Sequence, residues 1–317
     1  MRFDIETIID DHNLCGEGPL WDWRRERLVW NDLSASLVFE YCPATRTRTV
    51  ISRGLMAAGM ALHGLEGFIF AGASGLHIWQ GPDDYTTVVP GNVGCFNDIV
   101  VDSAGRIYAG TLYWEATEMV RSGELLLIDT DGSVRVVDEG VHLANGLALS
   151  PDESTLYFAD SAKRQIAAYD VDRASGALSN KRVFADTSTD EGLPDGIVVD
   201  AEGGVWCALW YGGQIVRYDP AGNVERRIRL PVPQVTSVEF GGPDLADLYV
   251  TSAAEPWPTP LIANYGGDLS ALGGALYRVT PGVRGRRRQP AGLARQAGDA
   301  PPAAQQQIKL KSVESRS

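Results

Sequence analysis

Four residues far apart in this chain carry side-chain oxygens of the kind that hold a hard metal ion: Glu17, Asn97, Asn145 and Asp195. Each opens a short apolar run: Glu17-Gly18-Pro19-Leu20-Trp21, Asn97-Asp98-Ile99-Val100-Val101, Asn145-Gly146-Leu147-Ala148-Leu149 and Asp195-Gly196-Ile197-Val198-Val199. Two carboxylates and two amides form an all-oxygen donor set. Such a set suits Ca²⁺, Mg²⁺ or Mn²⁺ and not a thiolate zinc site. Taken singly, Asn or Asp before glycine is a common turn residue. The same position in two further runs, however, holds Ala58 and Thr236. Turn chemistry alone would have made all six positions alike, so the polar residues are placed run by run.

The six leading residues are separated by 41, 39, 48, 50 and 41 positions. A period of that size marks a radial or stacked repeat, in which each unit is a small antiparallel sheet that cannot bury its own faces. The unit is clearest at residues 97 to 138. There NDIVVD, RIYAGTLY, GELLLID and SVRVVD read as four strands, separated by turns such as Ser103-Ala104-Gly105 and Thr130-Asp131-Gly132. Residues 145 to 184 and 195 to 230 repeat this scheme, and the first two units follow it less regularly. The expected fold is all-β, a six-bladed β-propeller spanning residues 1 to 283, with the leading residues converging on a metal site in the central channel. The sixth unit lacks a strand, and FDIETII near the start is its natural donor, because a closed ring leaves no sheet edge open.

Composition agrees. The 317 residues are 44% hydrophobic, and 35 glycines and 17 prolines punctuate the repeats. A net charge of −13 disfavours nucleic acid or an anionic membrane as partner. No apolar run approaches the roughly 20 residues needed to span a bilayer. Cys15, Cys42, Cys95 and Cys207 lie far apart with no C-x-x-C pair, which argues against structural disulfides and fits a cytoplasmic setting. From Pro281 to Ser317 there are eight Lys or Arg and two Asp or Glu, so this tail is +6 and the body −19. The tail is poor in apolar residues and has no period. Residues 284–317 are therefore expected to be disordered or an appended extension.

Other chemistries are not supported. There is no H-E-x-x-H, no G-x-S-x-G elbow, no P-loop and no G-x-G-x-x-G. The tryptophans at strand positions read as packing between blades. Trp114 stands apart, in a loop with Glu115 and Glu118 that follows the strand after Asn97. That loop is a candidate lid over the channel mouth, and Glu255-Pro256-Trp257-Pro258-Thr259-Pro260 is a second candidate rim element.

The strings GEGPLWD, FNDIVVDSAGRIYAGT, NGLALSPDESTLYFADS and LPDGIVVDAEGGVWCALW resemble the family of regucalcin (senescence marker protein 30), gluconolactonase and luciferin-regenerating enzyme, over about residues 13 to 283. The resemblance implies Glu17, Asn145 and Asp195 as ligands of one divalent cation, Ca²⁺ first, with Mg²⁺, Mn²⁺, Zn²⁺ or Fe²⁺ as alternatives. It implies Asn97 as a substrate- or metal-contacting residue. Sugar-lactonase members carry arginine two residues before that asparagine, where this chain has Cys95. A thiol cannot supply a fork of charged donors.

The expected activity is metal-dependent hydrolysis of a small-molecule lactone, a sugar lactone or a less polar relative. Asp195 is expected as general base and Asn97 as amide donor to the developing oxyanion. Cys95, Trp114, Glu115 and Glu118 are expected to join Asn97 in contacting substrate. A phosphotriesterase-like hydrolase on the same site and a non-enzymatic calcium-binding propeller are the alternatives.

Overall fold

The computed structural model describes residues 3–82, 84–115, 118–188, 192–255 and 272–294. Six antiparallel four-stranded sheets are arranged as the blades of a β-propeller. Their inner strands, blades 1 to 6 in order, are Gly16–Asp22, Gly59–His63, Phe96–Val101, Ala144–Leu149, Leu193–Val199 and Val235–Gly241. In blades 1 to 5 the four strands follow in chain order. Blade 6 is completed by the N-terminal strand Ile5–Asp10, which pairs with Ala275–Val279, so the expected closure by FDIETII is what the structure contains. No helix among the described residues is long and apolar enough to cross a membrane.

Strand alternation places one apolar face of each sheet against the next blade, so the core is divided into six clusters around the ring. Tryptophans serve that packing as expected: Trp21 of blade 1 stacks on Tyr249 of blade 6 at 5.9 Å, and Trp206 of blade 5 meets Phe240 of blade 6 edge-on at 6.1 Å. No disulfide joins any of the four cysteines, all of which lie among the described residues.

The segment after blade 6 corrects one expectation. Residues 284–294 do not depart from the body; they run as a strap across the propeller and touch every blade. Arg284 O accepts from Ala201 N of blade 5, and Gly285 N donates to Leu245 O of blade 6. Arg286 Nη1 donates to Ser150 O of blade 4, and Trp23 Nε1 of blade 1 donates to Arg288 O. Ala291 N donates to Leu62 O of blade 2 at 2.7 Å, and Gly292 N to Gly105 O of blade 3 at 2.9 Å. Ala291 and Leu293 are buried in the cluster between blades 2 and 3. The strap shows no strand period because it meets each blade at only one or two points and forms no continuous ladder. Residues 295–317, and the Pro256–Pro260 rim element, lie outside the described residues.

Candidate active site at the channel mouth

Five of the six inner strands carry a one-residue register shift at or just after the leading position. The shifts fall between Glu17 and Leu20, Phe96 and Ile99, Ala144 and Leu147, Pro194 and Ile197, and Val235 and Val238. The inner strand of blade 2, which begins just after Ala58, pairs without one. A bulge turns residues out of the ladder, and in blades 3 to 5 it frees Asn97, Asn145 and Asp195 to line the channel; in blade 1 it begins one residue later, after Glu17, which still pairs with Asn31. In blades 4 and 5 the glycine that follows is required by the close approach of the next blade. A Cβ on Gly146 would lie 2.3 Å from Ile197 N, and one on Gly196 would lie 2.0 Å from Ser237 Oγ.

All four leading polar residues line one cavity of about 110 Å³. Asn97 Nδ2 donates to Asn145 Oδ1 and to Ala144 O, both at 2.7 Å. Asn145 Nδ2 donates to Ser161 Oγ at 2.7 Å, and Ser161 Oγ donates to Pro194 O at 2.5 Å, beside Asp195. Residues from blades 3, 4 and 5 are thus linked in one hydrogen-bonded chain.

Asn97 is in place, but the role expected of it changes. Ala144 O can only accept, so the amide nitrogen must face it, and both Asn97 N–H groups are spent on protein acceptors. Its Oδ1, and not an N–H, remains for a molecule in the cavity.

Electrostatics mark the site. Burial pushes the Glu17 carboxyl up to about 8, with Asp98 adding to the rise and the hydrogen bond from Gly18 N opposing it. Asp195 is held well above the usual carboxylate range, first by burial and then by the charges of Glu17 and Asp98. No basic side chain is among the groups acting on either residue. Two crowded, buried carboxylates without a counter-ion are costly, and a bound cation would offset that cost. The third donor to such an ion would be the Asn145 amide. Among the described residues no group of three or more His, Cys, Asp or Glu is arranged to hold a metal, so the donor set depends on that amide.

A carboxyl whose pKa is higher in the folded state binds its proton more tightly there. The stability it provides is complete below about 4.5 and is lost as pH rises through about 8. In chelator, the melting temperature should therefore fall between pH 5 and pH 9, and Ca²⁺ should restore it at the alkaline end. A flat or rising profile in chelator would show that Glu17 and Asp195 are not strained by their burial.

Several functional residues were not singled out by the sequence. Asp98 lines the cavity, and burial raises its carboxyl to about 6. Its signal was the acid standing where blades 4 and 5 have glycine. Asp32 accepts from Leu14 N and Cys15 N, and Asp160 accepts from His142 N and Leu143 N. Each thereby fixes the backbone just ahead of a donor, Glu17 and Asn145 respectively. Their signal was an Asp ending the second strand in both LVWND and LYFAD.

The cysteine meeting the cavity is Cys15, not Cys95. Cys95 is half-buried at the rim, where its O accepts from Leu112 N, and burial raises its thiol. Trp114 is also outside the cavity lining: it belongs to the two-stranded hairpin Trp114–Glu115 with Glu118–Met119, and its Nε1 donates to His142 O at 2.8 Å. Glu118 is exposed on that hairpin, and the side chain of Glu115 lies outside what is described. The large side chains in the remaining walls are apolar, Leu33, Leu112, Leu143, Leu193 and Trp210, with the Ser161 and Ser237 hydroxyls among them.

Residues 15–254 match the family described as the SMP-30/Gluconolactonase/LRE-like region. The chain is 32% identical to pentonolactonase XacC of Haloferax volcanii, over 89% of this chain and 96% of that protein. It is 33% identical to regucalcin of Xenopus laevis, again over 89% and 96%. Among solved structures, a luciferin-regenerating enzyme superposes with a TM-score of 0.84 at 28% identity, over 92% of this chain and 99% of that one. With the family's region running through five blades and into the sixth, and whole-length relatives above 30% identity, this chain belongs to the SMP-30/gluconolactonase/LRE-like family, which includes lactone hydrolases.

Proposed function

We propose that this propeller is a divalent-metal-dependent lactonase acting on lactones less hydroxylated than sugar lactones. The observation that carries the reading is the pair of buried carboxylates, Glu17 and Asp195, with no basic partner and the Asn97–Asn145 amide pair beside them. Glu17, Asn145 and Asp195 would hold the cation, which when bound supplies a Lewis acid that polarises the ester carbonyl. Asp195, through a carboxylate oxygen not committed to that ion, takes the proton from the attacking water and returns it to the departing ring oxygen, so the ring opens to a hydroxy acid. Asn97 donates one N–H to Asn145 Oδ1 and the other to Ala144 O, and offers Oδ1 to the substrate or the water.

The substrate class follows from the walls. The described lining residues include five large apolar side chains and no Lys or Arg. A charged donor to a hydroxyl or carbonyl contributes roughly 1.5–3 kcal/mol, about ten- to a hundred-fold in affinity, and neither the described lining residues nor Cys95, which stands outside them, supplies one. The name of the pentonolactonase relative supports the reaction class and leaves the ring substituents open.

The test is a screen of chelator-stripped protein with Ca²⁺, Mg²⁺, Mn²⁺, Zn²⁺ and Fe²⁺ against gluconolactone, aliphatic lactones and an activated phosphotriester. Aliphatic lactones should exceed gluconolactone in kcat/KM by roughly tenfold or more, the value of one such contact, and Cys95→Arg should narrow the gap. Efficient gluconolactone hydrolysis with no gain in Cys95→Arg would refute the specificity. Faster turnover of the phosphotriester would refute the lactonase reading.

A further inference from the structure

Below the active-site cavity, toward the strap, lies a second chamber of about 40 Å³. The two share Gly18, Asp98 and Ser237 in their walls, so Asp98 stands at the boundary between them. The chamber is also lined by Glu239 of blade 6 and by Arg288 and Gln289 of the strap. Glu239 is 1% exposed. Its Oε2 accepts from Arg288 Nε at 2.7 Å, while its Oε1 is buried with no hydrogen-bond partner. The Arg288 charge also acts on Asp98, opposing the effect of burial there. A single guanidinium therefore faces two carboxylates inside the channel, one of which keeps an unused acceptor oxygen. The strap holds it there through the hydrogen bond from Trp23 Nε1 to Arg288 O and the anchoring of Ala291 on Leu62.

We infer that Arg288 is a built-in cation of the propeller channel. It occupies the place where Asp98, Glu239 and the Ser237 hydroxyl would otherwise collect a divalent ion, and so confines metal binding to the Glu17–Asn145–Asp195 end. The last clause rests on the metal reading proposed above, whereas the first does not. A guanidinium suits the task because it stays protonated and brings several donors to carboxylate oxygens, yet cannot exchange with solvent ions. The strap is then part of the site and not merely a fastening. The basic run from Arg284 to Arg288 gains a reason: its fifth residue is the internal charge, while Arg286 and Arg287 engage Ser150 O and the Trp23 ring.

The experiment counts Ca²⁺ bound per chain by isothermal titration calorimetry after chelator dialysis, in the full chain. Arg288→Ala and Arg288→Gln should each bind one more Ca²⁺ than the wild type, and Arg288→Lys should keep the wild-type number. The double variant Arg288→Gln/Glu239→Gln should return to the wild-type number, a result that a merely structural role for Arg288 would not produce. A variant that folds only when Ca²⁺ is present also supports the inference. One that fails to fold with or without Ca²⁺ counts against it, because the ion should take the guanidinium's place. Equal counts in the wild type, Arg288→Ala and Arg288→Gln overturn the inference and leave the metal reading standing. A wild type that binds none beside an Arg288→Gln that binds one refutes the metal reading and supports this one.

Discussion

The Asp195→Ala variant should keep the propeller and lose lactone turnover, with kcat/KM lowered by at least roughly 10²- to 10⁴-fold, the contribution of a positioned general base. Loss of a cation ligand adds to that. The same substitution removes a carboxylate that is 4% exposed and crowded by Glu17 and Asp98. Chelated Asp195→Ala should therefore melt no lower than chelated wild type at pH 8. It should also fail to gain melting temperature from Ca²⁺, because mass-action stabilisation requires an ion bound by the folded state. Circular dichroism checks the strands, thermal melts with and without Ca²⁺ check the site, and initial rates check the chemistry. Unchanged turnover would remove Asp195 from the mechanism, whereas lost turnover with an intact Ca²⁺ response would leave it as base and not as ligand.

Ending the chain at Val283 should lower the melting temperature by roughly 10 °C. The deleted strap buries Leu293 and Ala291 and makes backbone hydrogen bonds from Gly285, Ala291 and Gly292. Burial of a leucine contributes about 2 kcal/mol and each hydrogen bond about 1 kcal/mol. For a domain of this size each ~1 kcal/mol moves the midpoint by roughly 2–4 °C. The deletion also strips Glu239, with its side chain 1% exposed, of the Arg288 guanidinium, leaving an uncompensated buried carboxylate. Ending the chain at Ala294 keeps all of these contacts, and that shorter deletion should leave the melting temperature unaltered. Equal melting temperatures for the two truncations would show that the strap carries no stability.

The blades were legible because their signals are local. Period-two alternation, turn glycines and a repeat near 40 residues are written into contiguous residues such as NDIVVDSAGRIYAG, and they fixed strand count, order and the need for an N-terminal strand. The leading residues Glu17, Asn97, Asn145 and Asp195 were legible for the same reason, since equivalent places in a repeat must meet at the axis. The rest depends on contacts between blades. Whether a bulge turns Asp195 into the channel is decided by pairing with the second strand of its blade and by the fit of Gly196 against Ser237. That Asn97 spends both N–H groups on blade 4 follows from the position of Ala144 O, 47 residues away in sequence. That Cys15 and not Cys95 lines the cavity is a matter of where each side chain lies in the folded ring, which residue type does not tell. The strap from 284 to 294 was hidden because it takes its partners from all six blades, and a segment that pairs with no single neighbour leaves no period in its own sequence.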